Sequence, residues 1–263
     1  MSARYTPVTS AISTTGRARA DMTGFFLRLY RIPAILLWSI LLGVGCVPYR
    51  LGGRWSDIKK LSYFARTWNG GLAKIVNLRV KVYGRIPDGY GGMVVSNHLS
   101  YMDIVTHAAI LPLRFMPKSD IAKWPLIGWY LGLSLPIWTN RESKQASKKT
   151  LRDIVKTMKR GICMVVYPEG TSTDGKSGIL PFKSTAFEAA IIGNAPITPV
   201  LTRYIQPPGQ PTVCWYGDMT LLPHLEGFSQ RADPVYSEME ILRSRTIAES
   251  VVKTMNLQKR LTW

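Results

Sequence analysis

A histidine and an aspartate five residues apart, His98 and Asp103, are the pair in this sequence best suited to chemistry. They lie in Ser96-Asn97-His98-Leu99-Ser100-Tyr101-Met102-Asp103, which follows the short apolar run Met93-Val94-Val95. The histidine is expected at a strand end and the carboxylate in the first turn of a helix. From there Asp103 can turn back and accept a proton from one ring nitrogen of His98, which fixes the tautomer and leaves the other nitrogen as a base. Such a pair can activate a hydroxyl that belongs to a substrate. A second group, Tyr167-Pro168-Glu169-Gly170-Thr171, follows the apolar strand Ile162–Val166. A carboxylate, a glycine and a hydroxyl at a strand's C-terminal end stand where α/β proteins bind ligands, although the motif alone also fits an ordinary turn. His107, four residues after Asp103, reads as a packed helix residue.

The elements that must position these groups alternate. Leu78, Val80 and Val82 interleave with Arg79, Lys81 and Tyr83 as a half-buried strand. Met93–Val95, Leu113–Met116, Leu133–Trp138, Ile162–Tyr167 and Ile197–Leu201 are further strand candidates. Leu151, Ile154, Val155 and Met158 recur at helical spacing, with Gly161 as the stop. A last helix is expected near Thr246–Leu257, with Ile247, Val251 and Met255 on one face. Strands alternating with helices imply an α/β domain, a mixed sheet flanked by helices, over residues 78–263. Trp215-Tyr216-Gly217-Asp218 reads as a structural turn at a strand end.

Ahead of that domain the charge is lopsided. The 263 residues carry a formal net charge of +18, and residues 1–85 hold fourteen Lys/Arg against Asp21 and Asp57, so +12 of it sits in that third. The longest uncharged stretch, Ile32–Tyr49, lies inside it, bracketed by Arg31 and Arg50. Eighteen residues make roughly 27 Å of helix, just short of a hydrocarbon core of about 30 Å. Basic residues on both flanks favour a helix embedded from one face, or re-entrant, over a spanning one; a buried core helix is the remaining alternative. Ser56–Val76 follows as an amphipathic helix with Ile58, Leu61, Phe64, Trp68, Leu72 and Ile75 on its apolar face, weakened at Gly70-Gly71. Residues 23–77 therefore read as a membrane-associated helical hairpin. Arg31, Trp38, Arg50, Lys59, Lys60 and Trp68 are its expected membrane contacts. Residues 1–22 read as a disordered basic arm. The start of the apolar run is too late for a secretory signal peptide.

Other chemistry is disfavoured. Cys46, Cys163 and Cys214 with His98, His107 and His224 offer no zinc spacing or disulfide framework, so neither a metal nor a cofactor is expected. Gly170–Ser177 matches G-x-x-x-x-G-K-S, but a phosphate-binding loop needs a helix to start at once, and Pro181 would interrupt one.

The ordered motifs resemble the glycerolipid acyltransferase family, the lysophosphatidic acid acyltransferases and their relatives. The family's N-H-x-x-x-x-D block is matched by Asn97, His98 and Asp103. Lys118, ahead of Trp124-Pro125-Leu126-Ile127-Gly128, and Arg141 match the second block. Tyr167 to Ser172 matches F-P-E-G-T-R, and Ile197-Thr198-Pro199-Val200 matches the fourth block, with Pro181-Phe182-Lys183 ahead of it. The resemblance covers about residues 78–202. It implies an O-acyltransferase in which His98 and Asp103 are catalytic and Asn97, Lys118, Arg141, Glu169, Gly170, Thr171 and Lys183 bind substrate. The donor would be acyl-CoA or acyl carrier protein. The acceptor would be a lysolipid hydroxyl, 1-acyl-sn-glycerol-3-phosphate first, giving phosphatidic acid at the cytoplasmic face of the cell membrane. Ser172 stands where many members carry an arginine that helps hold the acceptor's phosphate. That variant resembles a bacterial subgroup that includes lyso-ornithine lipid acyltransferases, the alternative reading. A hydrolase using the same pair on water, or a non-catalytic binder of anionic lipid or nucleic acid, would leave the ordered motifs unexplained; no nucleic-acid partner is expected.

Overall fold

Alternate residues of the central strands point to opposite faces of one sheet, and both faces are covered. The computed structural model describes residues 14–52, 54–85, 91–125, 127–139, 144–176, 178–206, 212–217, 219 and 233–241. Its six strands are β1 (Leu78–Tyr83), β2 (Met93–Ser96), β3 (Leu113–Arg114), β4 (Cys163–Val166), β5 (Ile197–Ile205) and β6 (Val235–Ile241). They form a single sheet in the order β1-β6-β5-β2-β4-β3, parallel except for the antiparallel β5–β6 pair. The mixed α/β sheet expected from the sequence is thus present.

Two helical layers sandwich it. On one face Met93, Val95, Met164 and Val166 pack against Ile154 and Met158 of α5 (Lys144–Lys159) and Ala189 and Ala190 of α6 (Glu188–Gly193). On the other face Val94, Cys163, Val200 and Met239 pack against Ala108 of α3 (Met102–Ile110) and Leu111. Behind α3 lies α2 (Trp55–Ile75), whose Ala73, with Val76 just past its end, joins Met102 and Val105 of α3 in a shared cluster. Gly161, at φ +73°, ends the α5 segment as the sequence suggested.

The first helix, α1 (Thr14–Gly52), packs along α2 and forms the expected hairpin. It starts inside the stretch read as a disordered arm; residues 1–13 of that arm lie outside the described residues. The indole of Trp38 donates to the Trp68 carbonyl at 3.0 Å, and Trp68 donates to the Ser39 hydroxyl at 3.0 Å. Gly71 has a packing role in α2. A Cβ there would collide with the Trp38 indole, so the glycine lets the two helices close. Phe25, Phe26, Leu29, Leu36, Leu37, Ile40, Leu41 and Val44 of α1 remain exposed. Within Phe25–Gly52 the most apolar stretch of eighteen residues has mean hydropathy 1.9 and is mostly uncovered by the rest of the chain, so it is not a buried core helix.

Three expectations need correcting. Leu133–Trp138 is not a strand: α4 (Ile127–Leu133) runs into it, and the following residues pair only loosely, Ile137 N–H donating to the Phe115 carbonyl at 2.9 Å. The strand β6 went unread, because Ser237 and Glu238 interrupt its apolar pattern. Both are buried, and Glu238 is neutralised by Arg203 of β5 at 2.6 Å. Arg31 is buried rather than at the surface; Trp38 and Trp68 are half-buried where α1 meets α2, and Arg50, Lys59 and Lys60 are exposed. The helix expected near Thr246–Leu257 lies outside the described residues.

Candidate active site

β2 ends at Ser96 and the chain then makes the loop that carries His98 before α3 begins at Met102. His98 Nδ1 lies 2.7 Å from Asp103 Oδ2. The same oxygen accepts the backbone N–H groups of Leu99 (2.7 Å) and Ser100 (3.0 Å), and Oδ1 accepts the hydroxyl of Tyr204 at 2.7 Å. Four donors therefore converge on a carboxylate with no exposure. With the carboxylate as acceptor, Nδ1 carries the proton and Nε2 carries the lone pair. Nε2 has no hydrogen-bond partner among the described residues, and the imidazole, 22% exposed, lines a cavity of about 940 Å³.

The rest of the loop is gripped from three sides. Glu169 is 3% exposed; its Oε1 accepts the His98 N–H at 2.7 Å and its Oε2 the Leu180 N–H at 2.8 Å. The His98 carbonyl accepts from the Thr173 N–H at 3.0 Å. Asn97 makes a two-way bond with Thr202 on β5, Nδ2 donating to its carbonyl (2.9 Å) and Oδ1 accepting its N–H (2.8 Å). On the far side the Trp215 N–H donates to the Leu99 carbonyl at 2.8 Å. Glu169 and Asn97, expected as substrate contacts, spend their polar atoms on backbone groups and hold the loop that aims His98.

Three residues of this site escaped the sequence reading as functional groups. Tyr167 stacks on His98, ring centroids 4.2 Å apart and planes within 17°. Its hydroxyl lies 3.1 Å from Nδ1 of His107. His107 is completely buried, its Nδ1 2.6 Å from the Asp103 carbonyl and its Nε2 3.3 Å from the Thr202 hydroxyl. Burial lowers the pKa of His107 against the opposing pull of Asp103. It therefore stays neutral, donating from Nδ1 to the carbonyl and accepting at Nε2. Burial, reinforced by Asp103, pushes Tyr167 and Tyr204 well above the usual phenol range, so both stay protonated and Tyr204 keeps its donated bond to Asp103. Only Tyr167 left a signal in the sequence, as a tyrosine where the family block has phenylalanine. Tyr204 stands 101 residues from Asp103, and only the β5 pairing brings it there.

Of the remaining expected residues, Lys118, Gly170 and Lys183 line the same cavity as His98. Lys118 lies at the exposed rim, 2.8 Å from Asp120. Gly170 adopts φ +76°, and a Cβ there would collide with the Lys183 side chain, so the glycine makes room for that cation. Thr171 is exposed and outside the lining, and Arg141 lies outside the described residues. The cavity walls are otherwise largely apolar: Phe115, Met116, Ile121, Leu131, Leu151 and Ile154. No helix follows Gly170–Ser177 directly, since the next one is a short 3₁₀ turn at Ser184–Phe187, so the loop lacks the helix that a nucleotide-phosphate site requires.

Comparison with known proteins agrees with this arrangement. The Acyltransferase family model matches residues 79–203. A lyso-ornithine lipid O-acyltransferase of Pseudomonas aeruginosa is 30% identical over 208 residues, 76% of this chain and 78% of that protein. The chain belongs to the glycerolipid acyltransferase family. A 1-acyl-sn-glycerol-3-phosphate acyltransferase of Neisseria meningitidis is 27% identical over 194 residues, 73% of this chain and 74% of that one. Among solved structures, the 1-acyl-sn-glycerophosphate acyltransferase PlsC of Thermotoga maritima has a TM-score of 0.52 at 20% identity. That match covers 93% of this chain and 99% of that one, and shows a shared fold. With the exposed apolar face of α1, family membership makes this acyltransferase a membrane-associated enzyme.

Proposed function

We propose that the enzyme moves a fatty acyl group from an acyl thioester to the hydroxyl of a lysolipid at the cytoplasmic face of a membrane. The single observation that carries the mechanism is the unpartnered Nε2 of His98, fixed by Asp103 and lining a cavity that is apolar along its walls and cationic at its rim. Nε2 takes the proton of the acceptor hydroxyl as its oxygen bonds to the thioester carbonyl carbon. Asp103 supports the imidazolium so formed. The tetrahedral adduct then collapses, the carbon–sulfur bond breaks, and the imidazolium returns its proton to the leaving thiolate. Among the described residues no serine, threonine or cysteine side chain is hydrogen-bonded to the His98 ring, so transfer is direct, without an acyl-enzyme. This reading needs no cofactor beyond the thioester co-substrate, whether acyl-CoA or acyl carrier protein.

For the acceptor, Lys118 and Lys183 on the His98 cavity favour an anionic headgroup such as that of 1-acyl-sn-glycerol-3-phosphate. Ser172 and the Pseudomonas relative favour the second reading, a lyso-ornithine lipid. The purified enzyme, given one labelled acyl thioester, should acylate one of these two in preference to lysophosphatidylcholine. Phosphatidic acid as the main product supports the first reading and acylated ornithine lipid the second. Labelled free fatty acid with no ester product contradicts both.

A further inference from the structure

One face of α5 is a cationic stripe that the acyl-transfer mechanism does not use. Lys148, Lys149, Arg152, Lys156 and Lys159 are all exposed, and none has an ion-pair partner among the described residues. At 100° per residue these positions fall within about a third of the helix circumference. The opposite face (Leu151, Ile154, Val155, Met158) packs on the sheet. From Lys148 to Lys159 the stripe runs about 16 Å along the helix. The one acid of α5, Asp153, is half-buried and attracts the guanidinium of Arg114 instead. The stripe is also anchored to the site: Lys148, Thr150, Leu151 and Ile154 line the cavity that holds His98.

Which anion it meets is decided by the layers. α5 covers the face of the sheet built from Met93, Val95, Met164 and Val166, whereas α3 covers the face built from Val94 and Cys163, with the α1–α2 hairpin behind it. The stripe therefore lies across the sheet from the apolar helix that meets the membrane. A lipid-binding surface would share the hairpin's side. The stripe also leads away from the cavity over solvent-exposed helix, a longer reach than the phosphates of one small donor need. An acidic protein surface matches its length, sign and exposure.

Resting on the acyltransferase reading, we infer that the exposed basic face of α5 docks an acidic carrier protein and delivers its acyl-phosphopantetheine thioester into the His98 cavity. The test uses the full-length enzyme with palmitoyl-acyl carrier protein and palmitoyl-CoA as alternative donors. The variant Lys149→Glu/Arg152→Glu/Lys156→Glu changes no cavity residue. KM for the carrier-protein donor should rise at least tenfold while KM for palmitoyl-CoA and binding to phosphatidylglycerol vesicles stay within twofold. The milder Lys149→Gln/Arg152→Gln/Lys156→Gln variant, and added salt on the wild type, should weaken the carrier-protein donor in the same direction. Equal loss with both donors, loss of vesicle binding, or an unchanged carrier-protein KM in a folded variant would each overturn the inference. So would wild-type transfer from palmitoyl-CoA alone. Failure of the wild type with both donors would overturn the acyltransferase reading itself.

Discussion

Two histidines nine residues apart lean on the same aspartate and are built for opposite ends. His98 sits in a loop, touches the Asp103 carboxylate with one nitrogen, and leaves the other on an open cavity. His107 sits one helical turn beyond Asp103, fully buried, with both nitrogens engaged. A histidine becomes a base here through a carboxylate partner together with an unspent lone pair. Proximity to an acid alone gives a strut. Tyr167 joins the two sites, stacked on one ring and within hydrogen-bonding distance of the other.

The comparison breaks most sharply at Asp103, whose carboxylate holds His98 while its backbone carbonyl holds His107. Asp103→Asn keeps the size but lets an amide face four donors that require an acceptor. We expect kcat for acyl transfer to fall by roughly 10²–10⁴-fold, read in a steady-state assay. A smaller effect is expected at Tyr204. Tyr204→Phe removes one donor to a buried charge, costing about 1.5–3 kcal/mol in urea unfolding and about tenfold in kcat. An unchanged unfolding midpoint would show that the Tyr204–Asp103 contact carries nothing.

The smallest effect separates the histidines by pH. His107 is held neutral by burial, its folded pKa below its unfolded one. Its contribution to stability is present above the unfolded value of about 6.5 and is lost as pH falls from there toward the folded value. The slope contributed is at most about 1.4 kcal/mol per pH unit. His107→Gln should flatten the decline in unfolding free energy between pH 7.5 and 5.5, and lower kcat no more than about tenfold at pH 7.5. A decline as steep as that of the wild type would place the titration elsewhere.

The sequence made the dyad readable because all its parts are local: a strand end, a loop and a helix start within eight residues. The same holds for the α5 face and for the hairpin, where periodicity of apolar residues is enough. What depended on pairing between distant strands was not readable. β6 carries Glu238 in a buried position that Arg203 of β5 and Tyr83 of β1 make tolerable, and Tyr204 meets Asp103 only through β5. Motif membership also says little about what a side chain holds. Glu169 and Asn97 recur in the right order for a binding site, yet their side chains close on backbone N–H and carbonyl groups. A carboxylate that binds a substrate and one that clamps a loop look alike in one dimension.

The most direct test of the central claim sets His98→Ala beside His107→Gln and the wild type. Acyl transfer to a lysolipid is measured from one labelled thioester, with urea unfolding and vesicle binding on the same preparations. His98→Ala should lose about 10³-fold or more in kcat while it folds and binds vesicles as the wild type does. His107→Gln should keep most turnover at a reduced unfolding midpoint. A folded His98→Ala enzyme within tenfold of wild-type turnover would contradict the central claim.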